Sequence, residues 1–439
     1  MNSSALREIV GDWADLVSSR TGVIRSVSRI QRGAEEPSPP FIYQSEISHF
    51  DFRVAKAQDR GSAGKGMTEE EAIRGAIGEA IERYCASHFD RSTAITSPWQ
   101  SSAAVAPSEF VLYSASQYET GKLPYHRWDP KDEVTWVRAR ELPSGREVLV
   151  PASLIYLQFP QHRAEDAFTP ATSNGLAAGP TLEYAVLHGL YECIERDAFL
   201  VTWMARLPAS EISFGANAPL ADSIRSHYRR FGADVRVFRM CTDIEAHVMM
   251  AIVFDQTGSG PAAVVGLGCH ASPVKALSRA MLEICQVRPG EARRYRDEPP
   301  GKRLKRVEDI KSLEDHSAWA SMPEHLGEFS FLLENGRTQR IEDLPDYSTA
   351  NIKRDLDHCL RTLQHCGSRT LYVDLSTSDV VGYGIHVARA IATELQPIHF
   401  GWGEDRLGGT RLFELPHKLG FASAPLTESD FNPCPHPLA

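Results

Sequence analysis

The sequence has no CxxC pair, no excess of basic residues, no long apolar run and no P-loop, and each absence removes a class of function. Eight cysteines (85, 193, 241, 269, 285, 359, 366 and 434) are scattered over 439 residues. Several sit inside apolar helical patterns, so they read as reduced thiols and not as a disulfide framework. Lys and Arg number 47 against 57 Asp and Glu, a net charge of -10, which leaves no basic footprint for nucleic acid. The N-terminus, MNSSALREIVGDWADLV, mixes charges into its apolar residues where a signal peptide would carry an uninterrupted apolar core. The longest apolar stretches, VMMAIVF (248–254) and AAVVGLG (262–268), are far too short to span a bilayer. A soluble, cytoplasmic protein with neither membrane nor nucleic acid as partner is expected.

What is present is a mixture of elements. VTWVRARE, EVLVPASLIYL, DVRVFRM, HVMMAIVFD, PAAVVGLGCH and RTLYVDLS have the β-branched, apolar character of strands, and they alternate irregularly with helical patterns over 68–88, 181–203 and 274–287. Because the strands come in clusters, the expected class is α+β (mixed α/β). Segments 97–110 and 288–303, rich in Pro, Gly, Ser and charge, are expected to be loops. HCLRTLQHC (358–366) repeats His-Cys at a spacing of seven, but its pattern is that of an amphipathic helix with Leu360 and Leu363 inward, not of a metal site.

The strongest internal signal is a threefold repeat. AIRGAIGEAIER (72–83), AVLHGLYECIER (185–196) and ALSRAMLEICQV (276–287) align without gaps, each placing Glu seven residues after its first Ala: Glu79, Glu192 and Glu283. Three positions later stand Glu82, Glu195 and Gln286. At about 100° per residue, the Glu face of each helix also carries only small residues, Ala72 and Ala76, Ala185 and Gly189, Ala276 and Ala280, which predicts a shallow strip with room for a ligand. Four carboxylates on two helices would repel one another unless cations intervene, and hard oxygen ligands suit Mg²⁺, which usually accompanies a phosphorylated substrate.

GSAGKGMTEEEA (61–72) adds a glycine-rich segment with Lys65 running into the first helix, whose start is marked by the capping-box pair Thr68 and Glu71. Such a loop is expected to offer backbone amides and a lysine to phosphate. The glycine spacing is wrong for a P-loop, and no Ser or Thr follows Lys65 directly. SNGLAAGPT (173–181) holds the corresponding place before the second helix and supplies Asn174.

GKGMTEEEAIRGAIGEAIERY, NGLAAGPTLEYAVLHGLYECIERDAF and ALSRAMLEICQVR resemble the ATP-binding segments of the YcaO family, and the likeness runs over about residues 50–439. The resemblance implies a YcaO catalytic domain at 50–420 between an N-terminal extension (1–49) and a Pro-rich tail (421–439). It implies ATP with Mg²⁺, the ions held by Glu79, Glu82, Glu192 and Glu195, directly or through water. Lys65, Arg83, Asn174, Arg196, Glu283, Gln286 and Arg288 would then surround the nucleotide. Two positions depart from the family pattern: Gly75 stands where Ser is common, and Pro180 precedes Thr181 in place of the usual pairing.

Family members form azolines, thioamides or amidines from peptide backbones, and the ending NPCPHPLA separates these outcomes. Its PxPxP character resembles the azoline-forming cyclodehydratases, in which the tail reaches the active site, here through Pro433, Pro435, His436, Pro437 and Ala439. That branch implies conversion of Cys, Ser or Thr in a ribosomal precursor peptide to thiazoline or oxazoline, in thiazole/oxazole-modified microcin or other bacteriocin biosynthesis. Only about fifty residues precede the motif region, so a separate leader-binding partner of the ubiquitin-activating (ThiF-like) type is expected, with an FMN-dependent azoline dehydrogenase in a synthetase complex and a homodimer left open. The alternatives are a thioamide- or amidine-forming enzyme and a non-catalytic scaffold; four retained, mutually repelling carboxylates argue against the scaffold.

Overall fold

The computed structural model describes residues 3–48, 61–100, 103–160 and 163–439. The expected boundary between residues 49 and 50 lies outside them. Two compact units share the chain, each assembled from separated stretches: Met1–Gln31, Pro39–Cys193 and Asn351–Glu394 in the first, Arg32–Ser38, Ile194–Ala350 and Leu395–Ala439 in the second.

The first unit contains a three-stranded sheet, β1 (Ile24–Arg29), β2 (Phe41–Ile47) and β3 (Gly61–Gly66), in that order. A second sheet is formed by β4 (Ile95–Ser97), β5 (Val134–Leu142), β6 (Glu147–Pro151), β7 (Leu176–Gly179), β13 (Thr370–Asp374) and β14 (His386–Ala392), ordered β4-β5-β13-β14-β7 with β6 on β5. Its helices are α1 (Ser3–Val10), α2 (Glu69–Ser87), α3 (Ala115–Glu119), the first half of α4 (Leu182–Met204) and a helix over Ile352–His365. In the second unit β8 (Ser210–Ser213), β9 (Ala233–Arg239), β10 (His247–Asp255), β11 (Ala263–His270) and β12 (Thr338–Arg340) run in the order β11-β10-β9-β8-β12, with α5 (Pro219–Arg230), α6 (Pro273–Asp297) and α7 (Leu313–Ala320). Among these strands only the β8–β12 pair is parallel. The α+β class expected from clustered strands is the class observed.

Local chemistry explains the helix starts. Thr68 accepts from the Glu71 N–H at 3.1 Å while Glu71 accepts from the Thr68 N–H at 3.3 Å, the expected capping box. Three glutamates in the first turn of α2 add a favourable interaction with the helix dipole. The predicted inner faces are buried in all three repeat helices: Ile73, Ile77 and Ile81, then Val186, Leu190 and Ile194, then Leu277, Met281 and Cys285. In the Ile352–His365 helix Leu360 and Leu363 are buried as expected, and among the described residues its histidines join no metal-competent trio.

Three expectations change. GSAGKG is not a loop but strand β3, hydrogen-bonded to β2 from Gly61 to Gly66. The small-residue strips are not open either, since Ala72, Ala76, Ala185, Ala276 and Ala280 are fully buried. They let a glycine of the preceding strand segment approach the helix backbone. A Cβ on Gly64 would lie 2.1 Å from Ala72 O and Ala76 N, one on Gly268 2.3 Å from Ala276 O, and one on Gly189 2.4 Å from Gly175 O. The repeat is therefore a strand–helix packing unit, with Gly meeting Ala or Gly, and its carboxylates stand at the end of that contact. Gly64→Ala is expected to destabilise the protein by about 1–3 kcal/mol through overpacking, read as a lower urea midpoint at unchanged slope.

The third correction concerns 288–303. Helix α6 continues to Asp297 through Pro289, so the first ten residues of the expected loop are helical. Pro289 gives up one helix hydrogen bond, but burial of Arg288, Pro289, Glu291 and Ala292 holds the turn in place. The Pro-rich tail is packed against the end of α4. Asn432 N–H donates to Met204 O at 2.6 Å, and its side-chain amide donates to Trp203 O at 3.2 Å. The Trp203 indole N–H in turn donates to Cys434 O at 3.1 Å. The two Asn432 bonds satisfy carbonyls that the end of α4 leaves without helical partners.

Candidate functional site

In the first unit the repeat brings Glu79, Glu82 and Glu192 into one electrostatic group, and each is anchored by a backbone N–H. Ala63 N–H on β3 donates to Glu79 Oε2 at 3.0 Å, Ala178 N–H on β7 to Glu82 Oε2 at 3.0 Å, and Gly175 N–H to Glu192 Oε2 at 2.9 Å. Such bonds fix each carboxylate and stabilise its charge. Burial nevertheless pushes the Glu82 carboxyl well above its ordinary value, helped by the charges of Glu79 and Glu192 and opposed by the Ala178 N–H and Arg83. Desolvation and two like charges overcome one hydrogen bond and one cation, which is the condition a bound divalent cation relieves.

Arg83, expected at the nucleotide, holds Glu79 Oε1 through Nη2 at 3.0 Å and Nε at 3.3 Å, with about a third of each side chain exposed. Lys65 sits half-buried on β3 opposite Ile42 of β2. The Asn174 amide N–H reaches only the Cys193 thiol, at 3.8 Å, and its Oδ1 is a buried acceptor without a partner. An orphaned acceptor next to a carboxylate anchor is a place a ligand donor can satisfy.

In the second unit Glu195 and Arg196 pair at 3.4 Å, Glu195 standing one helical turn after Glu192 on α4. Glu283 and Gln286 are half-buried, one turn apart on α6. Arg288 departs from expectation. Its side chain is 7% exposed and bonded to Glu36, with Asp255 at 3.5 Å and the Tyr228 ring 5.4 Å from its centre. Tyr228 also donates to Glu36 at 2.8 Å. The guanidinium charge is thus already matched within a buried network, as a helix residue and not as a loop residue free to meet phosphate. His436, placed among the catalytic candidates, is 1% exposed. Pro435 and Pro437 are buried beside it, while Pro433 and Ala439 are exposed.

The sequence reading passed over Asp197, which follows Arg196 on α4. It is fully buried and accepts from Arg411 Nε at 2.8 and 2.9 Å and from the Gln396 N–H at 2.9 Å. Arg411 also reaches Asp243 at 2.6 Å. Burial raises the Asp197 carboxyl even against Arg411. The available signal was an acidic residue at the threshold of the apolar run AFLVTW, a position no solvated helix face would occupy.

The donor set fits Mg²⁺ with a nucleotide: anchored carboxylates, an unsatisfied amide oxygen and nearby cations. The three carboxylates do not converge on one point among the metal-competent groups, which suits an ion that keeps waters and bridges to phosphate. A family model described as YcaO cyclodehydratase, ATP- and Mg²⁺-binding, matches residues 63–396. The chain belongs to the YcaO family. Its cofactors are ATP and Mg²⁺. An uncharacterized protein of Methanothermobacter thermautotrophicus is 28% identical to it over 340 residues, 76% of this chain and 81% of its own. An uncharacterized protein encoded in the tfuA 3′ region of Rhizobium leguminosarum bv. trifolii is 31% identical over 51% of this chain and 54% of its own. Among solved structures, a heterocyclase in complex with substrate and cofactor superposes with TM-score 0.82 at 25% identity, covering 99% of this chain and 57% of the heterocyclase. YcaO from Methanopyrus kandleri bound with AMPPCP and Mg²⁺ shares the fold at TM-score 0.63 and 20% identity, over 85% of this chain and 86% of that one. This chain therefore spans little more than half of the heterocyclase. No described helix is long and apolar enough to cross a membrane.

Proposed function

We propose that this YcaO protein is an ATP-dependent cyclodehydratase that converts Cys, Ser or Thr of a ribosomal precursor peptide into thiazoline or oxazoline. The observation that carries the reading is the group of three backbone-anchored carboxylates, with the Glu82 carboxyl pushed up by burial and by the charges of Glu79 and Glu192. In the reaction the side-chain nucleophile adds to the preceding amide carbonyl. The amide oxygen is then phosphorylated and departs as phosphate, so the peptide loses one water while ATP becomes ADP and phosphate. ATP supplies the phosphoryl group and Mg²⁺ neutralises its charge. Glu79, Glu82 and Glu192, with Glu195 one turn further along α4, hold the ions; Arg83 orients Glu79, and Asn174 Oδ1 accepts from the nucleotide. Lys65 is a further candidate nucleotide contact of the first unit, and Arg196, Glu283 and Gln286 are candidates in the second, whereas the charge of Arg288 is already matched by Glu36 and Asp255.

The azoline outcome, over thioamide or amidine, is favoured by the PxPxP ending and by similarity to a heterocyclase along nearly the whole chain. The packed tail acts by positioning the end of α4 at Trp203 and Met204, six and seven positions beyond Asp197, and not through a free His436. A separate leader-binding partner and an FMN-dependent dehydrogenase complete the assembly, by analogy with an E. coli microcin synthetase complex that shares the fold at TM-score 0.60 and 19% identity. Such a system operates in the cytoplasm, where its ribosomal substrate is made. Incubating the precursor peptide with the partner protein, ATP and this enzyme is expected to remove the mass of one water per ring. A gain equal to the difference between sulfur and oxygen would instead establish thioamide formation.

A further inference from the structure

Three histidines from distant parts of the second unit meet in its interior. His316 on α7, His399 and His436 of the tail are 1%, 8% and 1% exposed. The hydrogen bonds fix which nitrogens are left over. His316 Nδ1 donates to His436 O at 2.9 Å, the Phe400 backbone also acts on this ring, and Nε2 has no partner of good hydrogen-bond geometry; His436 Nε2 donates to His399 O at 3.1 Å, leaving Nδ1 without one. His399 Nδ1 is likewise unpartnered. One ring nitrogen from each histidine lies within 4.8 Å of the other two, and among the described residues no other trio of His, Cys, Asp or Glu comes so close.

Ring nitrogens buried without a partner are costly, and each of the three histidines has one. Their arrangement also holds two rings face to face, His316 on His436 at 3.8 Å and 3°. We propose that this cluster is a binding site for a divalent transition metal of the zinc class, which ties the C-terminal tail to α7 and to the His399 segment. Nitrogens on a tetrahedral ion with bonds of about 2.0–2.1 Å lie about 3.4 Å apart; parallel rings hold their in-plane lone pairs parallel, so His316 or His436 must turn out of the stack for both to reach one ion. Imidazole is the preferred ligand type for such an ion, and the second nitrogen of both His316 and His436 donates to a backbone carbonyl, the usual support for a metal-bound histidine.

Protons offer little competition. Burial lowers His316 to about 4, and burial together with the neighbouring histidines lowers His399 and His436 well below the ordinary histidine value. Arg406 and Arg196 add positive charge beside His399 and His436; Glu195, paired with Arg196 at 3.4 Å, and Asp315, beside His316, oppose it. The ion would link residues 120 and 37 positions apart in the chain, a clamp on the tail that shares no residue with the carboxylate group.

The test uses the full chain in excess MgCl₂, which occupies hard-oxygen sites, after stripping with EDTA. Titration with CoCl₂ is expected to give the intense visible bands of a four-coordinate site, and protein purified with ZnCl₂ present to retain one zinc per chain. His316→Asn and His436→Asn are each expected to weaken zinc binding by about 100-fold or more, the scale at which even the supporting residues of such sites act. Stripped wild type that is folded by circular dichroism yet gives no cobalt bands and retains no zinc would overturn the proposal without recourse to variants. So would zinc bound with wild-type affinity by both variants.

Discussion

Glu82→Gln is expected to lower ATP turnover by about 10²–10³-fold, the loss typical of removing one electrostatic stabiliser from a preorganised site, while stabilising the protein in the absence of Mg²⁺. Gln keeps the acceptor that receives the Ala178 N–H and removes a charge that burial, Glu79 and Glu192 all oppose. The sign follows from linkage. The folded state holds the Glu82 proton more tightly than the unfolded chain, so this group contributes most below its ordinary value of 4.5. That contribution is lost as pH rises through the raised value. Wild type without metal should therefore lose stability between mildly acidic and neutral pH more steeply than the variant, in thermal melts at matched ionic strength. Mg²⁺ and nucleotide should raise the wild-type melting temperature and close most of the gap. A variant with full turnover would remove Glu82 from the metal site.

Arg411→Leu is expected to cost about 3–5 kcal/mol, since it strands a carboxylate in the interior. Asp197 is fully buried, and Arg411 is the only cation among the groups affecting it strongly. Leu replaces the packing of the guanidinium stem but leaves Asp197 with the Gln396 N–H alone. The double variant Asp197→Asn/Arg411→Leu should recover a large part of the loss, because it removes the stranded charge as well. Urea denaturation of the two variants measures both values. Equal destabilisation of the single and double variants would show that packing of Arg411, and not its charge, holds this segment of α4.

Much of this site is legible in the chain because the repeat is local. Glu79, Glu192 and Glu283 recur at one distance from an Ala, and helical geometry alone separates their polar and apolar faces, so the buried stripe of Ile73, Ile77 and Ile81 could be named residue by residue. The small strip was misjudged for a physical reason. An Ala face permits either a ligand or a close strand, and the choice rests on Gly64, Gly175 and Gly268, whose partners lie on another element. GSAGKG looked like a loop for the same cause: glycine weakens a strand on its own, and only the approach of α2 requires it there. Pro289 marked a break that burial of its neighbours overrides. The Arg288–Glu36 bond joins residues 252 positions apart, and the histidine trio joins three segments; no periodicity within one segment encodes either.

Binding of AMPPCP by the full chain, followed by calorimetry with and without Mg²⁺, tests the central claim most directly. Saturable binding is expected with Mg²⁺ present, lost on adding EDTA and lost in Glu82→Gln and Glu192→Gln, both folded by circular dichroism. Binding of equal affinity without Mg²⁺, or in both variants, would contradict a nucleotide site built on these carboxylates.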